Sequence, residues 1–424
     1  MVPDIYNGPD LFFNCTMREI EGGICAPQGF RAGGIWCGIK AGSRKRDLAL
    51  IYADRPCAAA AMFTTNRVKA APVLVSQEHM AGGILRAVIA NSGNANACTG
   101  EAGLAAARRM AELAAGEFAI KSSEVAVAST GVIGVPLPIA AIESSVSSLA
   151  DSIHPGPAGH EAALEAIMTT DTRKKAAALE YEIDGTPLRL GGMVKGSGMI
   201  HPSVATMLCF ITTDVAISRK LLDRALRRAV RRSFNRVSVD GDTSTNDTVI
   251  IMANGEAGNA PIISEDPDYE MFARALETLC IKLARAMARD GEGATRLITV
   301  SLKGAADEGA AELLARTVAA SSLVKAACFG ADANWGRVLC ALGYAGVDFD
   351  PAAVDLRFAS AAGEILVCKA GAPVPFPEEE AGKILSQEEI EIRIELAGGG
   401  TGAATAWGCD LSYDYVKING DYRS

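Results

Sequence analysis

Residues 195–208 read KGSGMIHPSVATML, a run of Gly, Ser and Pro that ends in a small residue, a threonine and two apolar residues. From Met207 to Val215 the chain is apolar and rich in strand-favouring residues, which predicts a strand that begins directly after Thr206. A flexible loop that feeds into such a strand suits self-cleavage of the bond between Ala205 and Thr206. The freed Thr206 would carry a nucleophilic hydroxyl together with an α-amino base, whose reference pKa is about 7.7–8.0.

An Ala-Thr pair after a loop is also an ordinary way to begin a strand, so the cleavage interpretation depends on the longer run and on residues elsewhere. The longer run closely resembles the cleavage segment of the arginine-biosynthesis glutamate N-acetyltransferases, also called ornithine acetyltransferases. Their pattern is roughly KGSGMIAPNMATML. This chain departs from it at His201, Ser203 and Val204, all of which precede the cleavage point.

The resemblance extends from GGICAPQGFRAGGI at residues 22–35 to the C-terminus. It implies a mixed α/β fold, layered as an αββα sandwich of the self-processing ornithine acetyltransferase type. It also implies two chains. Residues 1–205 would form an α chain with the oxyanion hole and part of the substrate site, and residues 206–424 a β chain that begins with the Thr206 nucleophile. Two α and two β chains would assemble as a heterotetramer.

Composition narrows the classes of partner. The 424 residues carry a net charge of −9, which argues against nucleic acid. No apolar stretch approaches the length of a membrane-spanning helix, and the N-terminus lacks the pattern of a signal peptide. The eleven cysteines form no CxxC pair and the four histidines show no metal-ligand spacing. We therefore expect a cytoplasmic protein with reduced thiols, no metal site and no membrane contact.

Local patterns predict alternating strands and helices, as expected for layered α/β structure. Strands are predicted at 47–54, 86–91, 124–130, 207–217, 247–253, 296–303, 390–396 and 404–418. Helices are predicted at 103–118, 138–152, 160–168 and 219–232, and a further one begins at Asp266-Pro267, a cap followed by proline. The helix at 219–232 is strongly basic, which favours a solvated face or an interface over a site for an acidic ligand.

The candidate oxyanion hole is Thr130-Gly131, in the sequence STGVIG at 129–134. A strand that ends in a glycine turn can present backbone N–H groups, and glycine permits close approach of a substrate. The sequence STG is by itself a common turn. The resemblance adds that the Thr130 hydroxyl and the Gly131 backbone form the family's oxyanion hole.

Two charged residues are candidate ligands for a small zwitterionic amino acid. Lys195 opens the Gly-rich run and could pair with a carboxylate. Glu292 lies between two glycines in DGEGAT and could face an ammonium group. Either could equally be a surface charge. The resemblance implies a substrate-binding role for both.

The resemblance also implies that Thr169, in IMTTDT, binds substrate, although its neighbour Thr170 could serve instead. Asn419 and the terminal Ser424 match the family's C-terminal asparagine and its terminal hydroxyl residue, which is usually threonine. Three polar loops, at 91–100, 238–248 and 330–337, are expected to support the site.

The function implied is transfer of an acetyl group from N2-acetylornithine to glutamate through acetyl-Thr206, in arginine biosynthesis and without a cofactor. Some family members also use acetyl-CoA as acetyl donor. Nothing in the sequence decides this, and we favour acetyl-CoA as a second co-substrate. Two alternatives remain open: an N-terminal-Thr hydrolase or aminopeptidase of similar fold, and an unprocessed small-molecule binding protein.

Overall fold

The computed structural model describes residues 17–40, 42–201 and 207–421. Within these ranges lie sixteen strands: β1 (Arg18–Glu19), β2 (Phe30–Ile35), β3 (Leu48–Phe63), β4 (Ile84–Asn94), β5 (Val125–Val132), β6 (Ala176–Ile183), β7 (Thr186–Lys195), β8 (Leu208–Thr213), β9 (Val237–Ser238), β10 (Thr248–Ala253), β11 (Leu297–Ala305), β12 (Val354–Ser360), β13 (Gly363–Lys369), β14 (Ala372–Pro373), β15 (Glu389–Leu396) and β16 (Gly402–Cys409).

The same ranges contain twelve α-helices: α1 (Ala71–Met80), α2 (Gly100–Glu117), α3 (Ile139–Glu143), α4 (Val146–Asp151), α5 (Pro157–Ile167), α6 (Arg219–Arg232), α7 (Pro267–Arg289), α8 (Glu308–Ala320), α9 (Ser322–Phe329), α10 (Trp335–Gly343), α11 (Glu378–Leu385) and α12 (Tyr413–Asp421). No helix in the described part of the chain is both long enough and apolar enough to span a membrane.

The first sheet has nine strands in the order β1-β6-β7-β8-β10-β3-β4-β5, with β2 also paired to β3. Strand β3 connects its two halves. The N-terminal part of β3 pairs with β2 and β4, and its C-terminal part pairs with β10. The β3–β4 register shifts between Tyr52 and Cys57, and such an irregularity bends a strand.

Three apolar clusters show that this sheet folds into a sandwich. Side chains of β3, β4 and β5 share one buried cluster with those of β7, β8 and β10, so the two halves face each other. The alternate side chains of β7, β8 and β10 pack on α6 and α7, while those of β3, β4 and β5 pack on α1 to α4. Both faces of each half are buried, which explains the continuous apolar runs in the sequence. The predicted αββα layering is confirmed.

A second sheet, in the order β14-β13-β12-β15-β11-β16-β9, forms a second unit. Helices α8 to α11 cover one face of it through an apolar cluster that includes Leu314 and Phe358. The other face carries polar residues such as Arg357, Glu391 and Arg393. Because α6 and α8 are joined by ion pairs such as Arg232 with Glu308, the basic helix forms an internal interface between the two units.

Most predicted elements are confirmed, with four corrections. The strand predicted at 124–130 continues to Val132, so Thr130 and Gly131 lie within β5 and not in a turn. The strand predicted at 207–217 ends at Thr213. The helix predicted at 138–152 is two short helices, α3 and α4. The strand predicted at 404–418 ends at Cys409, and α12 follows it. The carboxylate of Asp410 accepts the backbone N–H groups of Thr295 and Arg296 at 2.8 and 2.9 Å, which draws the chain out of the sheet.

The run at 195–208 does not separate structural units. It connects β7 to β8, which are antiparallel neighbours in the first sheet. The second sheet takes its strands from β11 onward, together with the short strand β9. A chain break after Ala205 would therefore leave two chains that share one sheet. The division into residues 1–205 and 206–424 stays a prediction.

Candidate active site

The run at 195–208 leaves and re-enters the sheet at one place, because Lys195, the last residue of β7, is the register partner of Leu208, the first residue of β8. Residues 202–206 lie outside the described residues, and these include the predicted cleavage pair, Ala205 and Thr206. The described residues on either side fix where the run begins and ends.

Two carboxylates from one loop hold the backbone on both sides of this run. The side chain of Asp240 accepts the N–H groups of Met199 and Ile200 at 2.6 and 2.8 Å. The side chain of Asp247 accepts the N–H of Met207 at 3.1 Å. Both acids belong to the polar loop at 238–248, so its expected supporting role has a structural basis.

The candidate oxyanion hole lies beside the start of the run. The Nζ of Lys195 donates to the Oγ1 of Thr130 at 3.1 Å, and both residues are buried. The Thr130 hydroxyl therefore accepts from a cation and keeps its own proton to donate. A hydroxyl polarised in this way is a stronger donor than an isolated one.

Gly131 has a backbone conformation that favours glycine, with φ of +133°. A Cβ at this position would lie 2.3 Å from the carbonyl carbon of Gly93 on β4. The chain can approach β4 this closely only because the side chain is absent. The same contact holds the ends of β4 and β5 together, where Gly93 is the register partner of Gly131.

Asn246 ties two of the polar loops to the end of β5. Its side-chain Nδ2 donates to the carbonyl oxygens of Ala95 and Ser129 at 2.7 and 2.8 Å. Ser129 directly precedes Thr130, and Ala95 lies in the loop at 91–100. The backbone that carries the candidate oxyanion hole is thus held from both sides.

A buried charge network lies next to Lys195. The Nζ of Lys175 is 2.7 Å from the Oδ1 of Asp171 and also pairs with Asp290, and all three side chains are at most 2% exposed. Asp171 accepts the N–H of Gly196 at 2.8 Å, and Asp290 accepts the N–H of Thr172 at 3.1 Å. The network therefore fixes the backbone that follows Lys195.

Thr169 lies at the edge of this network, where its N–H donates to the Oδ2 of Asp171 at 2.9 Å. Thr169 and Thr170 are both partly buried. The structure thus brings Thr169 to the site through Asp171, and the choice between the two threonines remains a prediction.

Glu292 and Asn419 are brought together from distant parts of the chain. The Nδ2 of Asn419 on α12 donates to the Oε2 of Glu292 at 2.9 Å, and the N–H of Glu292 donates to the carbonyl oxygen of Ser197 at 2.9 Å. A Cβ on Gly198 would lie 2.3 Å from the Glu292 carboxylate, so that carboxylate packs directly on the run. Ser424, the other C-terminal candidate, lies outside the described residues.

Burial and neighbouring charges shift the pKa values of these groups. Burial lowers the pKa of Lys195, while Asp171 and Glu292 act in the opposite direction. For Asp171, burial opposes ionisation, but Lys195 and Lys175 outweigh it and hold its pKa below the usual range. Burial raises the pKa of Asp247 well above its usual value.

Sequence reasoning missed the supporting acids and the second lysine. Asp171, Lys175 and Asp290 form the buried network, and Asp240 and Asp247 hold the ends of the run. Four of the five stand inside motifs that the sequence does single out, namely IMTTDT, DGEGAT and the loop at 238–248. Their roles become visible only from their partners.

A cavity of about 560 Å³ opens beside the loop that carries Glu292. It lies between the end of α7 and α12, and Thr172, Asp290, Gly291 and Lys417 are among its lining residues. Cavities of this size accommodate small-molecule ligands. Within the described ranges, no three His, Cys, Asp or Glu side chains are grouped so that they could hold a metal ion.

Comparison with known proteins gives consistent matches. The ArgJ family model matches residues 31–424. The "Arginine biosynthesis bifunctional protein ArgJ" of Symbiobacterium thermophilum is 52% identical over 409 residues, which span 96% of this chain and all of that protein. "Arginine biosynthesis bifunctional protein ArgJ 1" of Clostridium acetobutylicum is 49% identical over 93% of this chain and 96% of its own length.

Two solved structures are also similar in sequence. A crystal structure of the ArgJ protein from Bacillus halodurans is 45% identical and covers 50% of this chain and 98% of its own, with a TM-score of 0.48. Ornithine acetyltransferase from Mycobacterium tuberculosis, solved with ornithine, is 42% identical and covers 46% of this chain and all of its own, with a TM-score of 0.41.

Proposed function

The chain belongs to the ArgJ family of bifunctional arginine-biosynthesis proteins, and from that premise we propose that it cleaves itself before Thr206 and then uses Thr206 to carry an acetyl group. One observation carries the proposal. Lys195, on the strand that precedes the run, donates to Thr130, so that two predicted site residues from separate motifs meet where the run leaves the sheet.

Cleavage begins when the Thr206 hydroxyl attacks the carbonyl carbon of Ala205. The new C–O bond replaces the peptide C–N bond, and the hydroxyl proton passes to the leaving amine. Water then hydrolyses the ester, which releases an α chain ending at Ala205 and a β chain beginning with Thr206. The anchors at Met199 and Met207 hold the two ends of the run during these steps.

Acetyl transfer uses the freed residue twice. The Thr206 hydroxyl attacks the acetyl carbonyl of N2-acetylornithine while the Thr206 α-amino group takes the hydroxyl proton and passes it to the departing ornithine amine. The amine of glutamate then attacks acetyl-Thr206, N-acetylglutamate leaves, and the hydroxyl is restored. Both substrates use one site in turn, so the kinetics are ping-pong.

The described residues supply the other functions of the site. The Thr130 hydroxyl and the Gly131 N–H stabilise the oxyanion of each tetrahedral intermediate. Lys195 pairs with the substrate carboxylate. Glu292, held by Asn419, faces the side-chain ammonium of ornithine. Thr169 completes the contacts from the described residues, and Ser424, which lies outside them, is assigned the remaining substrate contact.

The same acetyl-Thr206 can be formed from acetyl-CoA, which makes acetyl-CoA a second co-substrate in this proposal. The two chains remain together because β7 of one pairs with β8 of the other, and two such pairs form the heterotetramer. Light scattering of the purified protein, combined with a denaturing gel, tests this assembly.

The test is to measure N-acetylglutamate formed from N2-acetylornithine and glutamate at several fixed glutamate concentrations. We expect parallel lines in double-reciprocal plots, and product that depends on glutamate. Release of acetate at a rate independent of glutamate would identify a hydrolase instead. In the variant Thr130→Ala we expect kcat to fall about 10²–10³-fold, as for other lost oxyanion donors. Thr317→Ala, on α8, is the matched control, since its hydroxyl only bonds its own helix.

A further inference from the structure

A cationic surface segment begins beside the candidate oxyanion hole. We call residues 36–40 and 42–46 the basic segment. It contains four cations, Lys40, Arg44, Lys45 and Arg46, and its sequence holds no acid. The chain as a whole carries a net charge of −9, so this segment is a local excess of positive charge.

The basic segment has a rigid base. The carboxylate of Asp47, which is fully buried, accepts four backbone N–H groups, from Cys37, Gly38, Ile39 and Lys40, at 2.6 to 3.2 Å. The indole N–H of Trp36 donates to the carbonyl oxygen of Ser43 at 2.8 Å, which joins the two ends of the segment. A ligand that binds here therefore has little backbone to order.

Lys40 connects the basic segment to the candidate oxyanion hole through Gly93. The Nζ of Lys40 donates to the carbonyl oxygens of Arg46 and Met168, each at 2.8 Å. An ammonium has three donors, so one remains for a ligand. A Cβ on Gly93 would lie 2.8 Å from the Lys40 side chain, and Gly93 packs directly on Gly131.

The basic segment also exposes an aromatic side chain, Trp36, together with two cations that have no ion-pair partner among the described residues. The side chain of Trp36 is 49% exposed. Arg44 and Lys45 are exposed, and within the described part of the chain neither has an ion-pair partner. Arg46 pairs with Glu165, so its charge is already neutralised within the protein. An exposed indole next to two free cations suits a ligand that has both a flat base and phosphates.

We propose that the basic segment binds the nucleotide end of acetyl-CoA, with adenine against Trp36 and the phosphates at Arg44 and Lys45. The pantetheine arm then passes Lys40 and delivers the thioester to Thr130 and Gly131. This inference rests on the proposed function, because it requires Thr206 as acceptor. In the transfer, a bond forms between the Thr206 oxygen and the acetyl carbon, the C–S bond breaks, and the hydroxyl proton ends on the CoA thiol.

Two variants test the proposal in the intact, processed enzyme: W36A, and R44Q/K45Q, which keeps side-chain length and removes charge. We expect the KM for acetyl-CoA to rise about tenfold or more relative to the KM for N2-acetylornithine, which has no nucleotide. The double variant K220Q/K369Q, which removes two exposed lysines elsewhere, is the matched control and should change neither KM. A KM ratio that is equal in all variants overturns the proposal.

Two further measurements separate this proposal from the proposed function. The short acetyl thioester of N-acetylcysteamine lacks the nucleotide, so its KM should not respond to W36A or R44Q/K45Q. Adenosine 3′,5′-bisphosphate should bind the wild type and compete with acetyl-CoA, whereas inorganic phosphate at the same concentration should not. If the bisphosphate does not bind while N2-acetylornithine is still used, the nucleotide site is wrong and the acyl-transfer function stands.

Discussion

Two groups of ion pairs in this molecule have the same chemistry and opposite surroundings. In the first unit, Lys175 pairs with Asp171 and Asp290, and all three side chains are at most 2% exposed. On the open face of the second sheet, Arg393 pairs with Glu364 and Glu391, whose side chains are 35% and 23% exposed. The sequence alone does not distinguish them.

The comparison separates charged residues that hold the structure together from charged residues that only cover its surface. Exposed pairs contribute about 0–1 kcal/mol, since water already solvates both partners. A buried pair costs much to desolvate, and removing one partner leaves a buried charge without compensation. The buried network is also the one that holds Thr172 and Gly196 beside Lys195.

The largest effect is expected for Lys175→Met, which removes the cation that pairs with two buried carboxylates. We expect the free energy of unfolding to fall by about 3–5 kcal/mol, measured by urea denaturation. The matched variant Arg393→Met removes one cation from two carboxylates on the open face and should cost about 1 kcal/mol or less. Equal losses in the two variants would contradict the comparison.

The next effect concerns backbone rather than charge. In Gly131→Ala, the new Cβ meets the carbonyl carbon of Gly93 at 2.3 Å, so the backbone of Thr130 and Gly131 must move. We expect kcat to fall by about 10²–10³-fold. The control is Gly116→Ala on α2, where nothing lies within 4 Å of the added methyl group, and this variant should keep its activity. A fully active Gly131→Ala enzyme would show that Thr130 and Gly131 do not form the oxyanion hole.

A smaller effect is expected at the rim of the site, where Asn419 is exposed and Glu292 is buried. Asn419→Ala removes the 2.9 Å hydrogen bond to the Glu292 carboxylate. We expect the KM for N2-acetylornithine to rise by up to about tenfold, with little change in kcat. Gln387→Ala, which removes an amide that donates only to the carbonyl oxygen of Lys383 on α11, should leave the KM unchanged.

The smallest effect concerns Lys40, which is only partly buried. Burial lowers the pKa of Lys40 to about 8, from an ordinary value of 10.5. The nearby cations Lys45 and Lys195 also lower this pKa, whereas the carboxylates of Asp47 and Asp171 raise it. Between those values the unfolded chain holds the proton that the folded protein has lost, so folding stability rises with pH.

We therefore expect the stability of the wild type relative to Lys40→Met to increase between about pH 8 and pH 10.5. Allowing for solvent screening, the increase should be about 1 kcal/mol in urea denaturation. Lys45→Met removes an exposed lysine from the same segment and is the matched control. A relative stability that falls with pH would contradict the stated direction.

Much of the fold was accessible from the sequence because apolar periodicity marks buried strands and helices, as in β8 and in α7 after Asp266. That cap is confirmed by the 3.0 Å bond from the N–H of Tyr269. The helix α12 was missed because its residues are mostly exposed and carry no clear apolar pattern. Its position is set by Asp410 and by the Glu292–Asn419 contact, neither of which has a local signal.

The site was only partly predictable for a related reason. Thr130, Lys195, Glu292 and Asn419 could be named from family resemblance, and the structure brings them together in two pairs. The ion pair between Lys175 and Asp290 joins residues on separate elements, and loop residues have no periodicity that reveals a partner. Sequence patterns identify the candidate catalytic and binding residues. The residues that hold them in place are recognised only from their contacts in the folded structure.

The proposed function depends most on Thr206, which must become the N-terminal residue of the second chain and carry the acetyl group. The direct measurement is mass spectrometry of enzyme incubated with isotope-labelled N2-acetylornithine and no glutamate, followed by digestion. We predict two chains, the second beginning TMLCF, with labelled acetyl on that N-terminal threonine and release of the label as N-acetylglutamate once glutamate is added. A single uncleaved chain with full transferase activity, or an active enzyme in which Thr206 never carries label, would contradict it.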